Sequence, residues 1–270
     1  MPRLLQLDAA TLARHGQVFG PFDLGVDLGE RVALLGPSGA GKSTLLKLMC
    51  GDLAPTAGRV LLDGQPIAAM DPRPRARRRA VLPQSHQVAF GLPVELVVGL
   101  GRWAGDGADR WVRQALAWAA ASHLQGRRYD RLSGGEQARV QLARVLAQLA
   151  DVEAGLLLVD EPLASLDPGL QLELLDTLAR FCRERGHALV AVLHDIQQAL
   201  NGFDRLVLVK HGQATADLPA GAAALPALET LFGLRLQALP TPDGAWALAA
   251  RRLEAAPPIP AHPVPEVSNG

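Results

Sequence analysis

Three short segments of the 270-residue chain carry side chains whose types and spacing could do chemistry on phosphate. The run Gly36-Pro37-Ser38-Gly39-Ala40-Gly41-Lys42-Ser43, with Thr44 behind it, matches the pattern GxxxxGK[ST]. Glycines let backbone N–H groups turn inward around phosphate oxygens, and a helix opening at the lysine adds the positive end of its dipole. In that pattern Lys42 reaches the β- and γ-phosphates of a nucleoside triphosphate and the Ser43 hydroxyl ligates Mg2+. Lysine is scarce here: Lys42, Lys47 and Lys210 are the only three among 27 basic residues, which makes one in this loop informative. Leu156-Leu157-Leu158-Val159-Asp160-Glu161 sets two carboxylates at the end of an apolar run. Beside a phosphate loop, the first acid could hold Mg2+ and the second polarise an attacking water. Leu132-Ser133-Gly134-Gly135-Glu136 has the spacing of a capping box. A capped helix start with two glycines also offers open backbone N–H groups to an anion.

These residues need a frame. Arg31–Leu35 reads as a short buried strand feeding the loop, and a helix runs from Lys42 to a C-terminal stop at Gly51. A strand is predicted over 58–63 with a turn at Gly64; the basic cluster 73–79, in which Arg73 and Arg75 read as a solvated face, precedes an apolar strand at 80–82. Apolar residues at helical spacing (Trp111, Val112, Ala115, Leu116, Trp118, Ala119) predict a helix over 109–124, and another is predicted from Glu136 to Ala150. The run 156–159 has the pattern of a central parallel strand. Asp167-Pro168 caps and opens a helix that ends before Gly186, and 188–193 and 205–210 read as further strands. Strands alternating with helices indicate an α/β fold with a mainly parallel sheet. The proline-rich tail from 255 is expected to be disordered, and no internal repeat is present.

Composition narrows the classes. Apolar residues make up 49% and charged residues 20%, as in a soluble globular chain, and the length suits one large domain or two small ones. A chain this long buries a full core without covalent staples. Basic and acidic residues balance at 27 each, which argues against a nucleic-acid binder held by a basic surface. Two cysteines, Cys50 and Cys182, cannot build a disulfide framework or a four-thiolate zinc site, and they fit a reducing compartment. The longest apolar runs, 156–159 and 188–193, fall far short of the ~20 residues that cross a bilayer. The N-terminus has no apolar core of a secretion signal, so a soluble cytosolic chain is expected.

The order of phosphate loop, LSGGE and LLLVDEP resembles the nucleotide-binding subunits of ATP-binding cassette (ABC) transporters, over roughly residues 4–235. The resemblance implies a P-loop (RecA-like) ATPase core with a small antiparallel β subdomain and an α-helical subdomain inserted at about 86–150. It divides the chain into an ATP-binding domain, 1–240, and an extension, 241–270. ATP would lie on residues 36–44 with Mg2+ at Ser43, Gln84 and Asp160, and catalysis would fall to Glu161, His194, Gln84 and Lys42. Gln84 resembles the family's Q-loop glutamine, which senses the γ-phosphate and Mg2+ and relays to the membrane partner. His194, in Val192-Leu193-His194-Asp195, resembles the switch histidine that contacts the γ-phosphate, although a lone histidine at a strand end is more often structural. Asp167, in Ala164-Ser165-Leu166-Asp167, resembles the D-loop aspartate that communicates across a dimer. In the family the signature of one subunit, here Leu132, Ser133, Gly134, Gly135 and Glu136, faces the P-loop of its partner, so a homodimer sandwiching two ATP molecules is implied.

Departures from the family pattern are specific. The family stacks an aromatic on adenine from a loop before the P-loop; Ala13-Arg14-His15-Gly16 offers only His15, with Phe19 and Phe22 later, so loose nucleotide selectivity is expected. Ala164 and Ser165 exchange the family's first two D-loop types, and Ala138 stands where glutamine is common, with Arg139 retained.

Three readings compete. An importer ATPase would dock on a separate membrane permease, through a surface expected at 85–95 that includes Phe90. A non-transport ABC ATPase usually carries zinc cysteines, a long coiled coil or two cassettes, whereas about fifty residues separate Gln84 from Ser133 here. An unrelated P-loop kinase or GTPase does not fit Gln84, the signature and His194 together. A half-cassette for an exporter stays open, although exporters more often fuse the two parts. The importer reading implies a permease, a periplasmic binding protein indirectly, no nucleic acid, and a peripheral place on the cytoplasmic face of a bacterial inner membrane. Residues 77–84, Arg128-Tyr129, 140–149 and 150–155 resemble haem-import ATPases, with ferric-siderophore and cobalamin ATPases as near relatives. Segment 220–254 reads as a short appendage on the core.

Overall fold

Residues 3–84, 91–103, 107–160, 166–242 and 244–252 are described by the structure, a computed structural model. In chain order the first half contains β1 (Leu5–Arg14), β2 (Gln17–Val26), β3 (Arg31–Leu35), α1 (Lys42–Cys50), β4 (Ala57–Leu62), β5 (Gln65–Pro66), α2 (Pro72–Arg78) and β6 (Arg79–Leu82). Three helices follow, α3 (Val94–Gly99), α4 (Ala108–Trp118) and α5 (Gly134–Gln148). The rest is β7 (Leu156–Asp160), α6 (Pro168–Arg185), β8 (Ala188–Val192), α7 (Ile196–Gly202), β9 (Arg205–Lys210), β10 (Gln213–Pro219), α8 (Leu225–Phe232), β11 (Leu234–Pro240) and β12 (Trp246–Arg252).

The main sheet has the order β10-β9-β3-β8-β7-β6, parallel except for β10. Its central strands β3, β7 and β8 are continuous apolar runs because both faces are covered. Strand alternation sends Ala33, Leu35, Leu157, Val159, Leu189 and Ala191 into one core, shared with α3–α6 and α8. Their neighbours Val32, Leu34, Leu156, Leu158, Val190 and Val192 enter a second core with α1 and the small antiparallel sheet β2-β1-β4-β5. These are the β and helical subdomains that the resemblance implied, on opposite faces of a P-loop sheet.

The helix predicted over 109–124 stops at Trp118. Ala120 takes φ +51°, Ala120 N–H donates to Ala117 O (3.1 Å) and Ala121 N–H to Leu116 O (2.7 Å). That is the Schellman stop, made here without glycine, and it turns the fully buried Ala121 and Leu124 inward to a short 3-10 turn. The helix expected from Glu136 opens two residues earlier, at Gly134. β11 and β12 form one antiparallel hairpin, so the expected division at 240 passes through it. Leu236 and Leu248 of the hairpin pack on the main core. The tail from 255 lies outside the described residues.

Candidate functional site

Register gathers the sequence-predicted residues on one edge of the sheet. Leu34 of β3 and Asp160 of β7 both lie opposite Val192 of β8, and Leu82 of β6 lies opposite Val159. The loop after Leu35, His194 two residues past Val192, Asp160, and Gln84 two residues past Leu82 therefore share the carboxyl ends of parallel strands, where α/β sheets bind ligands.

The loop is shaped by close backbone approach. A Cβ on Gly36 would run into the Val209 carbonyl of β9, and Gly41, at φ +102°, lies against the ring of Phe19. Ala40 O accepts from Gly212 N–H (2.9 Å), pinning the loop to the β9–β10 turn. Lys42, 4% exposed, donates from Nζ to Gly36 O (3.0 Å) and Pro37 O (3.1 Å), so its ammonium is held within the loop. Ser43 Oγ donates to Asp160 Oδ1 at 2.9 Å across 117 residues of sequence. A hydroxyl and a carboxylate side by side are hard oxygen donors of the kind Mg2+ uses beside substrate phosphates. Among the described residues no cluster of three or more His, Cys, Asp or Glu could hold a metal by itself. Residues 38–44, Phe19 and His194 line a cleft of about 330 Å³.

Phe19 is a contributor that the sequence did not place there. It also lines an adjoining recess of about 240 Å³, with Leu12, His15, Thr44 and Leu53. The recess continues the phosphate cleft through Phe19 and Thr44, so it is positioned to receive the base of a nucleotide. His15, at φ +48° in the β1–β2 turn, stands at its rim.

The signature segment lies elsewhere: none of residues 132–136 lines the phosphate cleft. Ser133 caps α5 in a full capping box, with Glu136 N–H donating to Ser133 Oγ (3.3 Å) and Ser133 N–H to Glu136 Oε2 (2.8 Å). These bonds from Ser133 hold the Glu136 carboxyl below its usual range. The start of α5 packs on the start of α6: a Cβ on Gly135 would lie 2.8 Å from Leu170, and Arg139 forks onto Glu173 (2.7 and 2.6 Å). Asp167 caps α6 by accepting from Leu170 N–H (3.0 Å). The starts of α5 and α6, with Ser133 and Asp167 as their caps, are thus neighbours, and neither cap lines the phosphate cleft. Burial pushes both cysteine thiols up to about 12, which leaves them inert packing groups. Glu161, Ala164, Ser165 and Phe90 lie outside the described residues.

On α3 and the 3-10 turn after it, Leu96, Leu100 and Trp103 are 57%, 58% and 71% exposed. Their i, i+4, i+7 spacing puts them on one helical face.

Residues 19–164 match the family model described as ABC transporter. The hemin import ATP-binding protein HmuV of Pseudomonas entomophila (strain L48) is 43% identical over 247 residues, 89% of this chain and 96% of that protein. HmuV of Bordetella parapertussis is 41% identical over 260 residues, 92% of this chain and 99% of that protein. In fold, the chain is similar to the dimeric ATP-binding cassette MJ0796 in a post-hydrolysis state bound to ADP and Pi, with TM-score 0.70 and 24% identity, covering 81% and 99% of the two chains.

Proposed function

This chain belongs to the ABC transporter family, and from that premise we propose that it is the ATP-hydrolysing subunit of an importer that carries haem through a separate permease. The observation that carries the ATPase reading is the Ser43–Asp160 hydrogen bond, which puts a phosphate-loop hydroxyl and a strand-end carboxylate at one point. The haem cargo rests on 41–43% identity to hemin import ATP-binding proteins over most of the chain.

ATP lies on residues 36–44, with backbone N–H groups and Lys42 on the phosphates and the base in the Phe19–His15 recess. Ser43 and Asp160 would hold Mg2+, with Gln84 at the same sheet edge; the ion, when bound, would neutralise charge on the phosphates. Glu161 orients or deprotonates the attacking water, and His194 and Gln84 stabilise the charge that develops. Because the signature lies off the phosphate cleft, a second copy supplies Ser133 and Gly135 to it in a head-to-tail dimer. Among the described residues no helix is long and apolar enough to cross a membrane, so transport needs a membrane partner. The apolar face of Leu96, Leu100 and Trp103, next to the expected coupling surface at 85–95, suits a helix of that permease. The working place is the cytoplasmic face of a bacterial inner membrane, with a periplasmic binding protein delivering cargo from the far side.

The test is ATP-dependent uptake into liposomes holding this subunit, its permease and its binding protein, with haem, a ferric siderophore and cobalamin offered in competition. Haem uptake that disappears with Glu161→Gln is the expected result, together with an ATP-bound dimer that barely turns over. Uptake of another chelate would keep the mechanism and discard haem. Near-normal hydrolysis by Glu161→Gln would remove that residue from catalysis.

A further inference from the structure

α7 begins where the phosphate cleft ends. His194 lines the cleft, and Asp195 caps the helix by accepting from the N–H groups of Gln197 (2.8 Å) and Gln198 (3.1 Å). Only seven residues follow, too few for internal hydrogen bonds to hold a helix in place. Its position is therefore set by what grips it from outside.

Three sides can be compared. Ala199 and Leu200 are buried against the main core. Toward α6 there is a cleft of about 240 Å³, with Leu172, Leu175 and Ala179 on the α6 wall, which leaves α7 room to shift. The remaining side is held by β12. The Asn201 amide donates to Trp246 O (2.9 Å) and accepts from Trp246 N–H (2.8 Å), the two bonds a neighbouring strand residue would make. One helical turn earlier, Gln197 Oε1 accepts from Leu248 N–H (3.1 Å).

The fit is metric. Four residues of helix rise about 6 Å, and two residues of an antiparallel strand span about 6.8 Å. An i, i+4 amide pair therefore matches successive outward-facing N–H groups on a strand edge, in this register and not in one shifted by a residue, which would turn those groups away. The hairpin that carries the strand is itself anchored, since Leu236 of β11 and Leu248 of β12 pack on the core and Leu236 N–H donates to Glu229 of α8 (2.7 Å).

We propose that β12 clamps the helix behind His194, with Gln197 and Asn201 as positioning residues that set the histidine against the phosphate cleft. The proposal rests on the reading of His194 as a γ-phosphate contact. Loosening the clamp leaves the phosphate loop untouched, so nucleotide binding persists while the hydrolytic step slows.

ATP hydrolysis by the full-length protein tests this, with kcat and KM measured for Gln197→Met, Gln197→Glu, Gln197→Met/Asn201→Leu and His194→Ala, and melting followed for each. The double variant should lose about ten-fold in kcat at unchanged KM, the scale set by small misplacements of a catalytic group. Gln197→Glu keeps an acceptor for Leu248 N–H and should retain turnover that Gln197→Met loses; both are surface replacements of similar length, so folding does not decide the comparison. The clamp is overturned if kcat stays within about two-fold, if KM rises in step with any loss, or if Gln197→Glu falls as far as Gln197→Met. Full turnover in His194→Ala would overturn the reading of the histidine itself, and the clamp with it. Impaired His194→Ala beside fully active clamp variants would sink the clamp alone.

Discussion

Glu136 shows how much one side chain in the signature does for the local chain. Its carboxylate accepts from the Ser133 N–H and hydroxyl (2.8 and 3.0 Å), and its own N–H returns the bond to Ser133. Those bonds lower its pKa from the ordinary 4.5. A carboxyl whose folded pKa is depressed stabilises the fold fully above the unfolded value and loses that contribution as pH falls through the folded value. Glu136→Gln should therefore be less stable than the wild type at neutral pH, and the gap between their urea midpoints should close as pH drops below 4.5. A gap that stays constant from neutral to acid pH would mean the carboxylate charge is not what Ser133 holds. Ser133 and Glu136 were legible as a pair because their roles depend on spacing along the chain. Phe19 was not, because its place over Gly41 depends on β2 returning past the phosphate loop.

Elements in this fold are tied at their ends. Arg102, 3% exposed in the 3-10 turn after α3, forks onto Asp151 Oδ1 and Oδ2 (2.7 and 2.8 Å) and donates to Ala147 O (3.0 Å). It joins the start of the helical subdomain to the end of α5, the helix whose other end carries the signature. Asp151→Ala would take both carboxylate oxygens away from a buried guanidinium, and should cost about 3 kcal/mol in denaturant unfolding. A loss well under about 1 kcal/mol would class the pair with solvent-screened surface bridges. Asp151→Ala with Arg102→Met should cost less than Asp151→Ala alone, because the uncompensated charge leaves with the arginine. Strands and long helices were readable from periodicity. The end of α4 was not, since Ala120 adopts the left-handed conformation that sequence reasoning assigns to glycine. The β11–β12 hairpin was also missed as a unit: β11 alternates, but neither strand has a fully buried residue and β12 shows no alternation at all.

At the scale of the whole molecule, none of residues 132–136 lines the phosphate cleft of its own chain. If the working site is completed by a second copy, two lesions in different chains should complement. Lys42→Ala and Ser133→Arg should each abolish turnover as homodimers, and mixing them should restore hydrolysis, since a mixed dimer has one site with neither change. A mixture as inactive as its components would mean that no working site combines the phosphate loop of one copy with the signature of the other. The class of architecture was legible because parallel strands buried on both faces announce themselves as apolar runs, whereas the pairing of faces between copies has no signature in spacing or hydropathy.

The main sheet keeps two populations of side chains apart. Residues alternating along β3, β7 and β8 belong either to the core under the helical subdomain or to the core under the antiparallel sheet. Volume lost on one side can be made good only by neighbours on that side, because the strand backbone stands between. Under mutation the two sets are therefore free to drift as separate lineages of compensating changes, and a core transplanted from a relative should be exchangeable one face at a time.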